Sequence, residues 1–274
     1  MSDTTALFAR FLRQTQILIL EILYIFLWLK FSPSLNSNKN YHFSKVSAMK
    51  AAVHETKFII NNSKSRQIIE WLQSSCSADP KFPAGTVSSI YYDTRNWRFL
   101  TEKINSDYLK TKVRIRWYSD ISNKQDFEKS FVEAKFKIGN RRKKVRSSTP
   151  YSGTWLSRCR LDNPQLLEIP FLLGKEGIVL NQSVFPVYQI SYKRLRFIEP
   201  YTGCRICFDY DISAPRVNNY MLPKSNPFKL QTAVFEIKGS VSDLPFYLYP
   251  LTDMGFKKAS FSKYKACYEI IMRS

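Results

Sequence analysis

Five short stretches of this sequence place charged side chains two residues apart. Glu133, Lys135 and Lys137 alternate with Val132, Ala134 and Phe136, and Lys112, Arg114 and Arg116 alternate with Val113, Ile115 and Trp117. Arg205, Asp209 and Asp211 stand opposite Ile206, Phe208 and Tyr210; Glu236 and Lys238 opposite Phe235 and Ile237; Glu55 and Lys57 opposite Phe58 and Ile60. The charged sets are mostly cations, with an occasional carboxylate close to a Lys or Arg. Such a mixture suits phosphoryl chemistry, where a protein mainly neutralises and aligns the transferring group. Arginine forks grip phosphate oxygens in pairs, and lysines act as point charges. A Mg²⁺ or Mn²⁺ ion needs only one or two carboxylates when substrate phosphates supply the other oxygens. Glu236 is the best candidate ligand; spacing alone equally allows an ion pair with Lys238 or a neighbouring strand's Arg.

Spacing by two means strands, because successive side chains of a strand point to opposite faces. Taken singly, each stretch is an amphipathic strand with its charged face in water. Taken together they argue otherwise, since a solvated face would mix in Ser, Thr, Asn and Gln and balance its signs. The expected fold is α+β: an antiparallel β-barrel tunnel with a polar, basic lumen, its outward apolar faces flanked by helices.

The composition agrees with an anionic partner. The 274 residues carry 42 Lys+Arg against 22 Asp+Glu, a formal charge of +20. Aromatic residues at 15% mark a globular chain rather than a basic tail. Two histidines, His42 and His54, leave no material for a His-dependent triad or a multi-His metal site. Gly174-Lys175 lacks the partner glycine of a P-loop, and eight glycines are few for a fold built on Gly-rich phosphate turns. Cys204 and Cys207 form a C-x-x-C without a second Cys pair, inside an expected strand where residues three apart face opposite sides; free thiols in a reducing compartment fit better.

Along the chain, Ile17–Leu29 is an apolar run interrupted by Glu21 and flanked by Arg10, Arg13 and Lys30. A spanning helix needs about 20 apolar residues. Three readings of residues 1–48 stay open: a membrane-associated helix, a translation start at Met49 that makes them an artefact, and a buried or surface helix. A polar linker, Ser32–Asn40, follows. Residues 49–274 form the expected tunnel domain. Ser63 or Ser65 caps a helix through about Leu72. Val87–Asp93 reads as a strand, Trp97–Lys103 as a helical turn or strand start, and Asp120–Asp126 as a turn. Arg141–Arg146 is a dense basic run, a pattern most often solvated or disordered. Pro164–Leu173, Pro245–Met254 and Lys263–Met272 read as helices. Tyr188–Phe197 and Cys204–Ile212 read as a hairpin turning at Pro200–Gly203.

These motifs resemble a family. Val87–Asp93, Arg114-Ile-Arg-Trp-Tyr118, Phe131-Val-Glu-Ala-Lys135, Tyr192-Lys-Arg194, Arg205-Ile-Cys-Phe-Asp209, Val234-Phe-Glu-Ile-Lys238 and Phe261-Ser-Lys-Tyr264 occur in the order seen in the VTC (vacuolar transporter chaperone) domain, of the triphosphate tunnel metalloenzyme superfamily. The resemblance runs from about Glu55 to the C-terminus. It implies a tunnel, a divalent metal (Mn²⁺ or Mg²⁺), and a polymerase that moves the γ-phosphoryl group of ATP onto a growing polyphosphate chain. It implies that Lys57, Arg114, Arg116, Lys135, Arg194, Arg205 and Lys263 hold phosphates, with Tyr192 and Lys238 assisting and Glu236 on the metal. Lys144 is chosen from the Lys143–Arg146 run as the match to another family lysine. Ser260 stands where the family polymerase carries a lysine, with Lys257 and Lys258 close by. Val53 stands where related triphosphatases carry the first Glu of Glu-x-Glu-x-Lys, which disfavours two-metal hydrolysis. The family polymerase's membrane-channel domain is missing from the sequence, so a separate channel partner is implied if product crosses a membrane.

Three functions follow as expectations: an ATP-dependent polyphosphate polymerase, a triphosphatase with water as acceptor, and a non-catalytic module binding polyphosphate or inositol polyphosphate. Nucleic acid is the least favoured partner, because no stacking-aromatic motif accompanies the basic faces. The expected location is cytoplasmic, with membrane association through the N-terminus.

Overall fold

A computed structural model describes residues 54–121, 126–139, 141–223, 225–240 and 243–273; side chains 126 and 127 are not described. The expectations for residues 1–48 lie outside the described residues, as does most of the Asp120–Asp126 turn.

Eleven strands are found among the described residues: β1 (His54–Asn61), β2 (Ser77–Ala78), β3 (Ala84–Asp93), β4 (Leu109–Ser119), β5 (Asp126–Ile138), β6 (Arg141–Ser148), β7 (Phe185–Ile198), β8 (Arg205–Val217), β9 (Phe228–Lys229), β10 (Thr232–Gly239) and β11 (Lys257–Lys258). Six α-helices accompany them: α1 (Ser65–Ser75), α2 (Arg98–Ile104), α3 (Gly153–Arg158), α4 (Gln165–Glu168), α5 (Pro250–Asp253) and α6 (Lys263–Ile271). One antiparallel sheet runs β11-β1-β10-β8-β7-β3-β4-β5-β6, with β2 paired to β7 and β9 to β8. The α+β class is as expected. The barrel is loose, because the backbone path ends at β6 on one side and at two-residue β11 on the other. Side chains span that gap: Arg142 of β6 reaches Glu55 of β1 at 3.6 Å.

Alternation builds the outer layers. Val113, Ile115 and Trp117 of β4, with Val132 and Ala134 of β5, are buried under Leu156, Leu166, Ile169 and Leu173. Phe58, Ile60, Phe235 and Ile237 are buried under Ile68 and Leu72 of α1. Each strand thus removes its apolar face from water at roughly 25 cal/mol per Å² and turns its other face inward.

Two expectations change. The Arg141–Arg146 run is ordered strand, because each of its residues pairs with β5 and Val145 enters the outer core. The concave face is also not basic throughout. Strand β3 and the first half of β7 are buried on both faces. Their concave residues Val87, Tyr91, Tyr188, Ile190 and Tyr192 pack with Tyr264, Cys267 and Ile271 of α6. Helix α6 therefore fills one end of the curled sheet, and the other end stays polar.

Asp93 holds that arrangement. Its buried carboxylate accepts N–H bonds from Thr94 (2.8 Å), Phe99 (2.9 Å) and Leu100 (3.0 Å), which start α2, and an O–H bond from Tyr264 (2.6 Å), which anchors α6. Between β7 and β8 the chain reverses at Gly203, whose φ of +66° suits a residue without Cβ.

Candidate active site

The concave polar region is a cavity of about 1080 Å³. Register explains why it is basic. Along β4, β5 and β6, Lys110, Lys137 and Arg142 stand side by side, then Lys112, Lys135 and Lys144, then Arg114, Glu133 and Arg146. On the other wall, Arg194 of β7 pairs with Asp209 of β8; Arg196, Cys207, Glu236 and Lys57 follow across β7, β8, β10 and β1; Arg205, Lys238 and Glu55 complete the next row. Lys263, first residue of α6, enters from the apolar end.

All eleven residues named from the sequence line this cavity: Lys57, Arg114, Arg116, Lys135, Lys144, Tyr192, Arg194, Arg205, Glu236, Lys238 and Lys263. Asp211, grouped with Asp209 by alternation, does not. Its φ of +51° breaks the alternation near a β7–β8 bulge, and its carboxylate turns outward to Lys193 at 3.1 Å. Of the C-x-x-C pair, Cys204 is buried beneath Gly239 while Cys207 lies beside Arg194 and Glu236; all five cysteines are free thiols.

Four carboxylates organise the cations. Asp209, 1% exposed, takes Arg194 at 2.5 and 2.7 Å and Lys263 at 2.6 Å. Burial pushes its carboxyl up, but Arg194 and Lys263 outweigh burial and hold it well below the usual carboxylate range. Glu133, 2% exposed, takes Arg114 at 2.7 Å, Lys144 at 2.9 Å and Arg146. Burial opposes ionisation there too, and Arg114, Arg116 and Lys144 prevail, leaving Glu133 firmly ionised. Glu236 takes Lys57 at 2.9 Å and also Lys238. Burial raises it, but Lys57 and Lys238 bring it down to about 2. Glu55 contacts Lys57 and lies 3.8 Å from Lys238, so the two carboxylates share the same lysines.

Arg116 is held without a carboxylate bond: it donates to the Ser89 hydroxyl at 3.1 Å and the Tyr192 hydroxyl at 3.3 Å. The Arg114 guanidinium also donates to the Tyr91 hydroxyl at 3.2 Å. These contacts fix the forks before any ligand arrives, the preorganisation that electrostatic catalysis requires.

Sequence reasoning does not identify Glu133 and Asp209 as organisers, or Arg142, Arg146 and Lys103 as cavity residues; Lys112, on the charged face of β4 by alternation, lines the cavity as expected. The alternation signal was present for Arg142 and Arg146, on the face of Lys144, but the run was read as a charge tract. Lys103 sits on a helix, and no strand alternation reports it.

The donor chemistry fits a divalent cation completed by substrate. Glu236 and Glu55 are hard oxygen donors, ionised and adjacent. Among the described residues no group of three or more His, Cys, Asp or Glu could hold a metal ion. A Mg²⁺ or Mn²⁺ ion here would therefore draw most of its oxygens from phosphates and water, which is how such ions are commonly held.

Among the described residues no helix is long and apolar enough to cross a membrane. No curated protein matches the chain. Solved structures similar to it include a protein from Pyrococcus horikoshii OT3 (14% identity, covering 80% of this chain and 99% of that one, TM-score 0.43). Another is a candidate adenylyl cyclase from Hippeastrum described as having a dominant triphosphatase activity (14% identity, 77% and 92% covered, TM-score 0.42). The family comparison is the informative one: the VTC domain matches residues 52–272, and the chain belongs to that family.

Proposed function

We propose that this protein is an ATP-dependent, metal-requiring polyphosphate polymerase. The observation that carries the reading is the convergence of arginines and lysines from β1, β4, β5, β6, β7, β8, β10 and α6 on one cavity with few carboxylates. In this reading Arg114, Arg116, Arg194 and Arg205 grip phosphate oxygens in pairs, and Lys57, Lys135, Lys144, Lys238 and Lys263 supply point charges along the phosphate chain. Tyr192 orients Arg116 through its hydroxyl. Glu236, with Glu55 beside it, would hold the Mn²⁺ or Mg²⁺ ion, which would supply positive charge to the substrate phosphates. The γ-phosphorus loses its bond to the β–γ bridging oxygen and gains one to the terminal oxygen of the acceptor chain; ADP leaves with the electron pair. Fixed cations offset the charge spread over the transferring group.

Incubating the full chain with γ-labelled ATP and Mn²⁺ and resolving the products on a gel tests the reading. A ladder of labelled phosphate chains is expected. Label found only in orthophosphate would make the protein a triphosphatase and overturn the polymerase reading. One observation favours a non-catalytic binding module: both oxygens of Glu236 are engaged by lysines. Tight binding of polyphosphate with no ATP turnover would establish that second reading.

A further inference from the structure

The organising carboxylates leave several cavity cations without an ion pair among the described residues, and two of these stand together beside a pair of hydroxyls. Asp209, Glu133, Glu236 and Glu55 between them take Arg194, Lys263, Arg114, Lys144, Arg146, Lys57 and Lys238. Lys103 of α2 and Lys112 of β4 face the same space, and neither forms an ion pair among the described residues. Their polar contacts are hydroxyls: Lys103 Nζ lies 3.4 Å from Ser260 Oγ, and Lys112 Nζ lies 3.4 Å from Ser262 Oγ. The charged groups acting most strongly on Lys103 are Lys110, Lys265, Lys137 and Lys57, all cations. Around Lys112 stand Tyr91, Arg114, Lys135 and Lys103.

Ammonium groups withdrawn from water among like charges are costly, and an incoming anion removes the cost. Withdrawal from water, with Arg114, Lys135 and Lys103 adding to it, pushes Lys112 down to about 8. Tyr91 is the remaining neighbour, its ring centroid 6.0 Å from the amine, and it acts the other way, favouring the charged form. Ser260 and Ser262 lie on the short segment leading into α6, so the two lysines and two hydroxyls converge from three separate elements.

We propose that Lys103, Lys112, Ser260 and Ser262 form a phosphate subsite that engages the inorganic phosphate chain rather than the nucleotide. The proposal rests on the polymerase reading for the identity of the chain. One feature favours the chain: lysines and hydroxyls lack the fixed fork of arginine and tolerate a ligand of repeating phosphates in several registers. Ser260, where the family polymerase carries a lysine, then needs no charge of its own, because Lys103 brings an amine to its hydroxyl.

Calorimetric titration of the full chain with tripolyphosphate, long-chain polyphosphate and ATP tests this, using wild type, Lys103→Met, Lys112→Met and the surface control Lys175→Met. Each cavity variant is expected to weaken binding of the inorganic chains about tenfold, as loss of one charged hydrogen bond does, with ATP affinity changed less than about threefold and the control unchanged. Equal losses for ATP and the chains, or no loss, overturn the subsite while leaving the polymerase reading standing. A wild type that binds none of these anions overturns both. Where a Met variant fails to fold, NMR titration of the Lys112 amine in wild type serves instead: saturating tripolyphosphate should move it up from about 8 toward its ordinary value of about 10.4, and an unmoved amine refutes the contact.

Discussion

The Lys263 ammonium sits 2.6 Å from Asp209 Oδ2, tying the first residue of α6 to the centre of β8. Arg194 holds the same carboxylate's other oxygen at 2.5 Å. One buried anion thus positions a fork from the sheet and an amine from the helix that fills the sheet's apolar end.

Asp209→Asn leaves two withdrawn cations without their counter-charge. Breaking such a pair from one side costs about 3–5 kcal/mol, so the unfolding free energy from a urea titration at pH 7 should fall by that measure, and tripolyphosphate should restore part of it. The pH dependence has a definite sign. The folded carboxyl is depressed, so its stabilisation is present above the unfolded value of about 3.9 and is lost as pH falls through the folded one. Wild type should lose stability on acidification below about pH 4, and the variant should lack that component.

Glu236→Gln separates metal chemistry from anion binding. Removing a carboxylate that Lys57 and Lys238 share leaves Glu55 as the remaining acidic neighbour of both lysines. Metal-free affinity for tripolyphosphate should rise, whereas Mn²⁺-dependent chain growth should fall at least tenfold, the scale seen when a metal's supporting groups are lost. Calorimetry and the gel assay read the two effects; a fall in both would make Glu236 a structural residue only.

Lys112 and Tyr91 titrate against each other. Tyr91 is pulled down to about 8: burial alone would raise it, but Arg114 and Lys112 favour the phenolate. Lys112 is also lowered to about 8. Between about pH 8 and 10 the unfolded chain therefore binds more protons than the folded one, and stability without ligand should rise with pH across that window. Thermal melts at stepped pH check this; the rise should shrink in Lys112→Met and in Tyr91→Phe.

Gly239 marks a packing limit at the end of β10. A Cβ there would lie 2.2 Å from Cys204 Sγ and 3.2 Å from its Cβ. Gly239→Ala should cost about 1–3 kcal/mol, the usual cost of overpacking a filled core. Adding Cys204→Ala removes the sulfur and should recover part of the loss in a denaturant titration.

Much of the site was legible because a strand's period is fixed at two. Once Lys57, Arg114, Lys135 and Glu236 were read as strand residues, their apolar neighbours had to face away, and the burial of Val113, Ala134, Phe58 and Phe235 follows from that. Three things resisted. Asp211 sits at a positive φ that alternation cannot report. The concave apolar end depends on α6 folding back beneath β3 and β7, a contact between Tyr188 and Tyr264, far apart in the chain. The pairing of Glu133 with Arg114, Lys144 and Arg146 depends on the register of three strands, which local spacing leaves open.

Crystallising the chain with tripolyphosphate tests the central claim most directly, that these cations share one phosphate chain. Three consecutive phosphate groups should appear inside the cavity, within hydrogen-bonding reach of Arg114 and Arg116 on one wall and Arg194 or Arg205 on the other. An empty cavity under saturating ligand, or tripolyphosphate bound only on the outer surface, would contradict the account.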